Sequence, residues 1–221
     1  MLRDRIEKVE ARIRAAASRA GRRREEIALV AVTKTFPAAA IADAYALGLR
    51  DFGENYVQEF EAKAPVLPLP NARFHLIGHL QANKSNRAAE LFDVIQTVDS
   101  VRLARRLNDA PTRRAQPLEV LIEVKLSGES AKSGAELEHV AALAGALAAF
   151  PNLRLTGLMT MPPWSDEPEN SRPFFRRLRA LAASLRLPQL SMGMSHDFEV
   201  AIEEGATLVR VGTALFGSRE P

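Results

Sequence analysis

The feature of this 221-residue sequence that most limits its fold is a regular alternation of short apolar runs with helix-forming segments. Eight such pairs follow one another, from the run at residues 28–32 to the run at 207–211 and the short segment after it. Apolar runs that alternate with helices predict parallel strands joined by right-handed crossovers. Eight of them in a chain of this length predict a single-domain (β/α)8 TIM barrel, and an open doubly wound sheet is the alternative.

The boundaries of the elements follow from apolar periodicity and from residues that end helices. Residues 1–20 form an amphipathic helix, which we expect to pack on the barrel within one domain that spans residues 1–221. Ser100 is the expected N-cap of the helix that includes residues 101–107, and Ser195 is the expected cap of the helix at 195–204. The strands are expected at 28–32, 49–53, 73–77, 92–98, 118–124, 153–158, 189–192 and 207–211, and the other helices at 37–47, 56–64, 83–91, 135–149 and 174–185.

Charge and composition argue against several classes of partner. The densest basic cluster, residues 22–24, is followed at once by Glu25 and Glu26, so no concentrated basic stripe for nucleic acid is present. No apolar run approaches the roughly 18 residues of a membrane span. The sequence has no cysteine, and its arginine-rich N-terminus also carries acidic residues, unlike a transit peptide. We expect a cytoplasmic protein.

Polar residues follow the expected strands at their carboxyl ends, where barrels place their chemistry. Lys34 ends the first strand, and partial desolvation there would favour a neutral amine suited to Schiff-base formation. The alternative is a lysine that extends from the sheet into water. The other strand ends supply Glu54, Asn55, Gly78, His79, Thr97, Asp99, Lys125, Thr160, Ser195, Arg210, Gly212 and Thr213.

The last two strand ends are the most specific of these. Gly193 allows close backbone approach before Ser195, and Arg210 adds a fixed positive charge before Gly212 and Thr213. Phosphate sites in barrels commonly follow strands 7 and 8. A tight turn with a helix cap and a structural arginine is the alternative. An amine and a phosphate site on one barrel face together suggest a phosphorylated aldehyde held as an imine.

Several motifs occur in an order that resembles the pyridoxal phosphate homeostasis protein family, and the resemblance covers the chain from about residue 5 to its end. The motifs are VTKT at 32–35, FGENYVQE at 52–59, HLIGHLQANK at 75–84, SGESAKSG at 127–134, GLMTM at 157–161, SMGMS at 191–195 and VRVGT at 209–213.

The resemblance implies the fold-type III barrel of alanine racemase without its second domain, with pyridoxal 5′-phosphate as the cofactor. It implies that Lys34 forms the internal aldimine. Arg210 would serve either the phosphate or the pyridine nitrogen. The cofactor-binding residues implied in this way are Lys34, Asn55, Met194, Ser195, Arg210, Gly212 and Thr213, and no metal is implied.

The function that the resemblance implies is to buffer the cofactor and deliver it to pyridoxal-phosphate-dependent apo-enzymes, without turnover of a substrate. An amino-acid racemase on the same barrel is the alternative, but it needs an acid or base on each face of the cofactor. Related racemases take the second acid or base, a tyrosine, from an added C-terminal domain. The tyrosines of this sequence, Tyr45 and Tyr56, lie on expected helices after the first two strands. His79 or His196 could take the role of the second acid or base instead. A Schiff-base aldolase without cofactor is the third possibility. We expect a monomer.

The chain departs from the family pattern at two positions and raises one question at a third. Lys125 stands where members often carry asparagine, and it is either a second amine near the site or, as we favour, a salt-bridging barrel residue. Phe36 stands where some members carry a second lysine. Lys132 matches the pattern and is either a transient aldehyde acceptor or, as we favour, a solvated loop lysine.

Overall fold

The computed structural model describes residues 1–112, 114–127 and 133–217, and within them eight parallel strands close into a barrel. Each strand pairs with its neighbours in parallel. The ring is completed by the pairing of Ala28–Val32 with Leu208–Val211 and of Val94–Val98 with Leu118–Lys125. This arrangement confirms the (β/α)8 prediction. The barrel strands are β1 (Ala28–Val32), β2 (Asp51–Glu54), β3 (Arg73–Leu76), β4 (Val94–Val98), β5 (Leu118–Lys125), β7 (Leu153–Met159), β8 (Gln189–Met194) and β9 (Leu208–Val211); the short β6 (Ala135–Glu136) pairs with β5 outside the ring.

Helices cover the outside of the barrel. Helix α1 buries Ile6, Val9 and Ile13 and contacts α8 and α9, and Gly21 ends it with a left-handed φ of +66°. Ser100 caps α5, since its hydroxyl accepts a hydrogen bond from the Leu103 amide. No helix of the described residues is long and apolar enough to cross a membrane. The helices are α1 (Leu2–Arg19), α2 (Ala38–Ala46), α3 (Val57–Lys63), α4 (Ser85–Leu91), α5 (Val101–Asn108), α6 (Val140–Leu147), α7 (Arg172–Ser184), α8 (Phe198–Glu203) and α9 (Thr213–Phe216).

The two-residue period of the strands decides which side chains enter the barrel. In β1, Leu29 and Ala31 join the hydrophobic core shared with the helices, whereas the buried Val30 does not belong to it. Val32 and Lys34 share the parity of Val30, and both line the cavity at the barrel mouth. The same alternation that buries one face of β1 against helices therefore directs the lysine inward.

Two helices begin later than expected, each because a local interaction holds the preceding chain. Residues 135 and 136 continue the parallel pairing with β5, so that α6 starts at Val140 instead of Ala135. The expected helix start at Ser195 is also wrong. The Met194 amide donates to Asp197 Oδ1 at 2.7 Å, which turns the chain before α8 starts at Phe198.

A buried carboxylate joins α7 to the end of α8. Glu204 contacts Arg172 Nη1 at 2.9 Å, Arg176 Nε at 3.1 Å and Arg179 Nη2 at 3.2 Å. Burial alone would raise the pKa of Glu204, but the hydrogen bonds from Arg172 and Arg176 outweigh it, and the pKa lies below its ordinary value. This carboxylate therefore stabilises the fold in its ionised form.

Candidate functional site

An open cavity of about 810 Å³ lies at the carboxyl ends of the barrel strands. A volume of this size suits a small organic ligand. All seven residues expected from the sequence border it: Lys34, Asn55, Met194, Ser195, Arg210, Gly212 and Thr213. The structure thus brings together residues at or just after the carboxyl ends of β1, β2, β8 and β9, which are up to 179 positions apart in the chain.

The cavity lining carries positive charge. Lys34 and Arg210 border it, together with His79 and His196, and none of the described lining residues is an aspartate or a glutamate. A wall with fixed cations and no carboxylate favours an anionic ligand. Among the described residues, no group of three or more histidine, cysteine, aspartate and glutamate side chains could hold a metal ion.

The backbone on both sides of Lys34 is held by residues of β2 and α3. Lys63 Nζ donates to the Thr33 carbonyl at 3.1 Å, and the Thr33 hydroxyl donates to Glu54 Oε1 at 2.7 Å. The Thr35 amide donates to Glu59 Oε1 at 2.6 Å and keeps Thr35 at a left-handed φ of +67°. Such a conformation is costly for a threonine, so these contacts fix the direction in which Lys34 leaves the strand.

The same residues form an ion cluster that is buried between the barrel and α3. Lys63, which is 9% exposed, contacts Glu54 at 3.0 Å and Glu59 at 2.6 Å. Burial raises the pKa of Glu54, although hydrogen bonds from Thr33 and Lys63 act in the opposite direction. We did not anticipate Lys63 from the sequence. Its three-residue spacing from the apolar Val57 and Phe60 was the available signal, since it places all three on one helix face.

The end of β8 has a backbone conformation that favours glycine. Gly193 has a φ of +90°, and a Cβ atom there would lie 2.5 Å from the Cβ of Ala201. The turn brings Ser195 toward the last strand, where its hydroxyl accepts a hydrogen bond from the Ala214 amide at 3.3 Å. The prediction that Ser195 caps α8 is wrong: it joins the two loops expected to bind phosphate.

Arg210 is the charged residue deepest in the site. It is 3% exposed, its Nη1 donates to the Ser191 hydroxyl at 2.6 Å, and its Nη2 donates to the Thr160 carbonyl at 3.0 Å. Burial lowers the pKa of Arg210 to about 10, so the side chain stays protonated at neutral pH. Nearby Glu123 accepts from the Ser133 hydroxyl at 3.1 Å, and burial raises the pKa of its carboxyl.

Of the side chains that could serve as a second acid or base, the two histidines line the cavity and the two tyrosines lie elsewhere. His79 and His196 line the cavity, and the His196 ring lies 4.8 Å from that of Trp164. Tyr45 donates its hydroxyl to the Pro70 carbonyl, and Tyr56 is 57% exposed beside a separate cavity. Neither tyrosine borders the Lys34 cavity.

The structure resolves one of the two questions about the other lysines. Lys125 Nζ contacts Glu136 Oε1 at 2.9 Å, which confirms the salt-bridging interpretation. Lys132 lies outside the described residues, so both interpretations of it stay predictions.

The sequence is similar along nearly its whole length to known proteins. Residues 5–220 match the family described as alanine racemase, N-terminal domain. The pyridoxal phosphate homeostasis protein of Pseudomonas aeruginosa is 48% identical over 217 residues, which cover 97% of this chain and 94% of that protein. The protein of the same name from Escherichia coli K12 is 45% identical over 223 residues, with coverage of 97% and 95%.

Solved structures are also similar to this chain along nearly its whole length. The PipY protein of Synechococcus elongatus, with PLP bound, has a TM-score of 0.84 and 37% identity and covers 98% of this chain and 100% of that one. Alanine racemase from Corynebacterium glutamicum has a TM-score of 0.70 and 22% identity over 96% of this chain and 61% of that one. The latter likeness concerns the fold alone.

Proposed function

Because this chain belongs to the pyridoxal phosphate homeostasis protein family, we propose that it binds pyridoxal 5′-phosphate in the Lys34 cavity and buffers this cofactor for delivery to other proteins. The observation that carries the proposal is the donor set of the cavity, which includes an amine and a buried guanidinium but, among the described lining residues, no carboxylate. A phosphorylated aldehyde needs both an amine and a cationic, hydrogen-bonding wall.

The residues present fit this cofactor. Lys34 would hold the aldehyde end, and the hydroxyls of Ser195 and Thr213 with the backbone at Gly212 would hold the phosphate. Arg210 adds positive charge from inside the barrel. Asn55 and Met194 complete the set of residues that we assign to the site.

When bound, the cofactor would supply an aldehyde for a C=N bond to Lys34 Nζ, with loss of one water, and a phosphate for the residues at the ends of the last two strands to hold. The protein's own part is to aim the amine, which the contacts of Thr33 and Thr35 with Lys63 and Glu59 accomplish. Because such a C=N bond is reversible, a site that holds the cofactor through Lys34 would also allow its release.

We favour a carrier without turnover over a racemase. Racemisation needs a second acid or base that faces the cofactor from the side opposite the lysine. Both tyrosines of the sequence lie away from the Lys34 cavity. His79 and His196 border the cavity, and His196 Nε2 lies 3.0 Å from the Asp166 carbonyl. The proposed recipients are pyridoxal-phosphate-dependent apo-enzymes, with the carrier acting as a monomer.

An absorption spectrum tests the binding step. Wild-type protein mixed with pyridoxal 5′-phosphate should gain a visible band that borohydride converts into a stable adduct at Lys34, identified by mass spectrometry of peptides. Lys34→Ala should show neither the band nor the adduct. Lys8→Ala removes an exposed lysine of α1 and should match wild type. A wild-type protein that remains colourless with the cofactor would refute the proposal.

Two assays separate the carrier from the alternative. The loaded protein should restore activity to an apo-aminotransferase, and the rate should fall when the C=N bond has been reduced beforehand. Incubation with L-alanine or D-alanine should leave the enantiomer unchanged on the time scale of that transfer. Rapid interconversion that disappears in Lys34→Ala would replace the carrier assignment with a racemase.

A further inference from the structure

A continuous chain of side-chain hydrogen bonds runs through the barrel interior from Asp51 to Arg210. Asp51 Oδ1 lies 2.8 Å from His75 Nε2, and His75 Nδ1 lies 2.9 Å from Gln96 Nε2. The Ser191 hydroxyl lies 2.6 Å from Gln96 Oε1 and 2.6 Å from Arg210 Nη1. Five strands contribute one residue each, and the Ser191–Gln96 bond joins β8 to β4, two strands that do not pair with each other.

The chemistry of the groups gives every bond in this chain the same direction. The guanidinium of Arg210 can only donate, so the Ser191 oxygen accepts and its proton goes to Gln96 Oε1. The amide nitrogen of Gln96 then donates to His75 Nδ1, which must be unprotonated to accept. The remaining proton of a neutral His75 sits on Nε2 and is donated to Asp51. Any break or reversal at Gln96 therefore disturbs both halves of the chain.

This chain also links the Arg210 charge to a distant carboxylate. Among the described residues, no ion pair joins the Arg210 guanidinium to a carboxylate. Burial lowers its pKa, the charges of Asp197 and Glu123 act on it from a distance and raise its pKa, and its hydrogen-bond chain ends at Asp51. Aligned hydrogen bonds in a poorly polarisable interior strengthen one another. The hydrogen bonds therefore set the direction of the Arg210 side chain, while the nearby charges of Asp197 and Glu123 favour its protonated form.

We propose that Gln96 and His75 are positioning residues for the cofactor site, which through Ser191 fix where the Arg210 guanidinium points in the Lys34 cavity. The effect of this positioning on binding rests on the proposed function, since Arg210 contributes to binding only if the cavity takes an anionic ligand. The positioning itself is a property of the protein without ligand. Gln96 and His75 are both fully buried and lie outside the cavity lining.

The direct test uses cofactor-free protein. In a ¹H–¹⁵N spectrum, the guanidinium signals of Arg210, assigned by their loss in Arg210→Lys, should shift and broaden in Gln96→Leu and in Ser191→Ala. Gln96→Glu keeps the acceptor for Ser191 but loses the donor to His75, so the Arg210 signals should stay as sharp as in wild type while those of His75 change. Thr156→Val serves as the matched control. It removes a buried hydroxyl that donates to Gln189, and neither residue takes part in the hydrogen bonds between Asp51 and Arg210. It should leave Arg210 unchanged.

The second readout is the affinity for pyridoxal 5′-phosphate. Gln96→Leu leaves the Ser191 hydroxyl without its acceptor and so loosens the bond that Arg210 makes to Ser191. Binding should weaken about tenfold, and the pH titration of the visible band should move with it. Unchanged Arg210 signals in folded Gln96→Leu and Ser191→Ala would overturn the positioning role. If the wild type fails to bind the cofactor while the Arg210 signals respond, the proposed function fails and the positioning role stands. If Gln96→Leu does not fold, Gln96→Met, which keeps the length of the side chain without its amide, decides.

Discussion

Replacing Lys63 with methionine should destabilise the protein strongly at neutral pH. The substitution keeps a long side chain between α3 and the barrel but removes the cation that contacts Glu54, which is fully buried, and Glu59. Breaking a buried ion pair by removing one partner costs roughly 3 to 5 kcal/mol, because the remaining charge stays desolvated. For a chain of this size, that loss corresponds to a decrease of about 6 to 20 °C in Tm.

The loss should shrink as the pH falls. Burial already raises the pKa of Glu54, so on acidification the folded protein takes up this proton before the unfolded chain does. Protonation in the folded state favours folding, and it removes the unpaired charge that makes Lys63→Met unstable. Lys63 is one of the contacts that lower the pKa of Glu54. Without it, Glu54 of the folded protein becomes protonated at a higher pH. The difference from wild type should therefore be largest above the raised pKa of Glu54.

Urea unfolding of wild type and variant, measured from neutral pH down to about pH 5, gives the difference in free energy directly. Arg87→Met is the matched control, because Arg87 also contacts two carboxylates, Glu61 and Glu90, but at the surface. Exposed pairs contribute about 0 to 1 kcal/mol, so this variant should change little. A Lys63→Met variant that loses no more than Arg87→Met, or whose loss is the same at every pH, would refute the reasoning. Its reaction with pyridoxal 5′-phosphate should also slow, since Lys34 is no longer aimed.

Three further predictions concern other parts of the molecule. Gly193→Ala should lower the free energy of unfolding by about 1 to 3 kcal/mol, because the added Cβ would overlap Ala201, and it should weaken cofactor binding in an equilibrium titration. Gly145→Ala is the control: Gly145 lies on α6 with no atom near the added Cβ, so this variant should raise the free energy of unfolding by about 0.5 to 1 kcal/mol. Trp164, the sole tryptophan of the sequence, borders the cavity, so cofactor binding should change the intrinsic fluorescence of wild type but not of Trp164→Phe. Glu204→Gln should lower the free energy of unfolding at pH 7, and the deficit should vanish in acid as the pH falls through the lowered pKa of the wild-type carboxyl; a deficit that persists there would contradict the role of its ionised form.

The barrel and the rim of the site could be predicted from the sequence because both depend on local patterns. Strand β1 lies where its apolar run predicts it. The alternation that packs Leu29 and Ala31 against the helices outside the barrel also directs Lys34 toward the cavity inside it. Residues after the carboxyl ends of parallel strands converge by geometry alone, so all seven expected site residues border one cavity.

The supports of the site could not be predicted because they depend on contacts distant in sequence. Glu59 and Lys63 have the four-residue spacing of an ordinary surface pair, yet tertiary packing buries the lysine against Glu54 and the Thr33 carbonyl. Ser195 has the sequence context of a helix cap, but its hydroxyl bonds to Ala214, 19 positions away. Lys63 keeps its local pair with Glu59 and adds the distant contacts, whereas Ser195 forms a distant bond instead of the expected local cap.

The polar interior of the barrel shows why such contacts are tolerated. The main apolar core lies between strands and helices, while the separate cluster formed by Val94, Leu121 and Met159 supplies little apolar packing. Stability therefore comes mainly from the outer layer, and the interior can carry polar groups, provided that each one is hydrogen-bonded. Among the described residues, no buried side-chain nitrogen or oxygen atom lacks a hydrogen-bond partner. A fully bonded polar interior has few alternative arrangements, which is the property that a site must have if it is to hold one arginine in one direction.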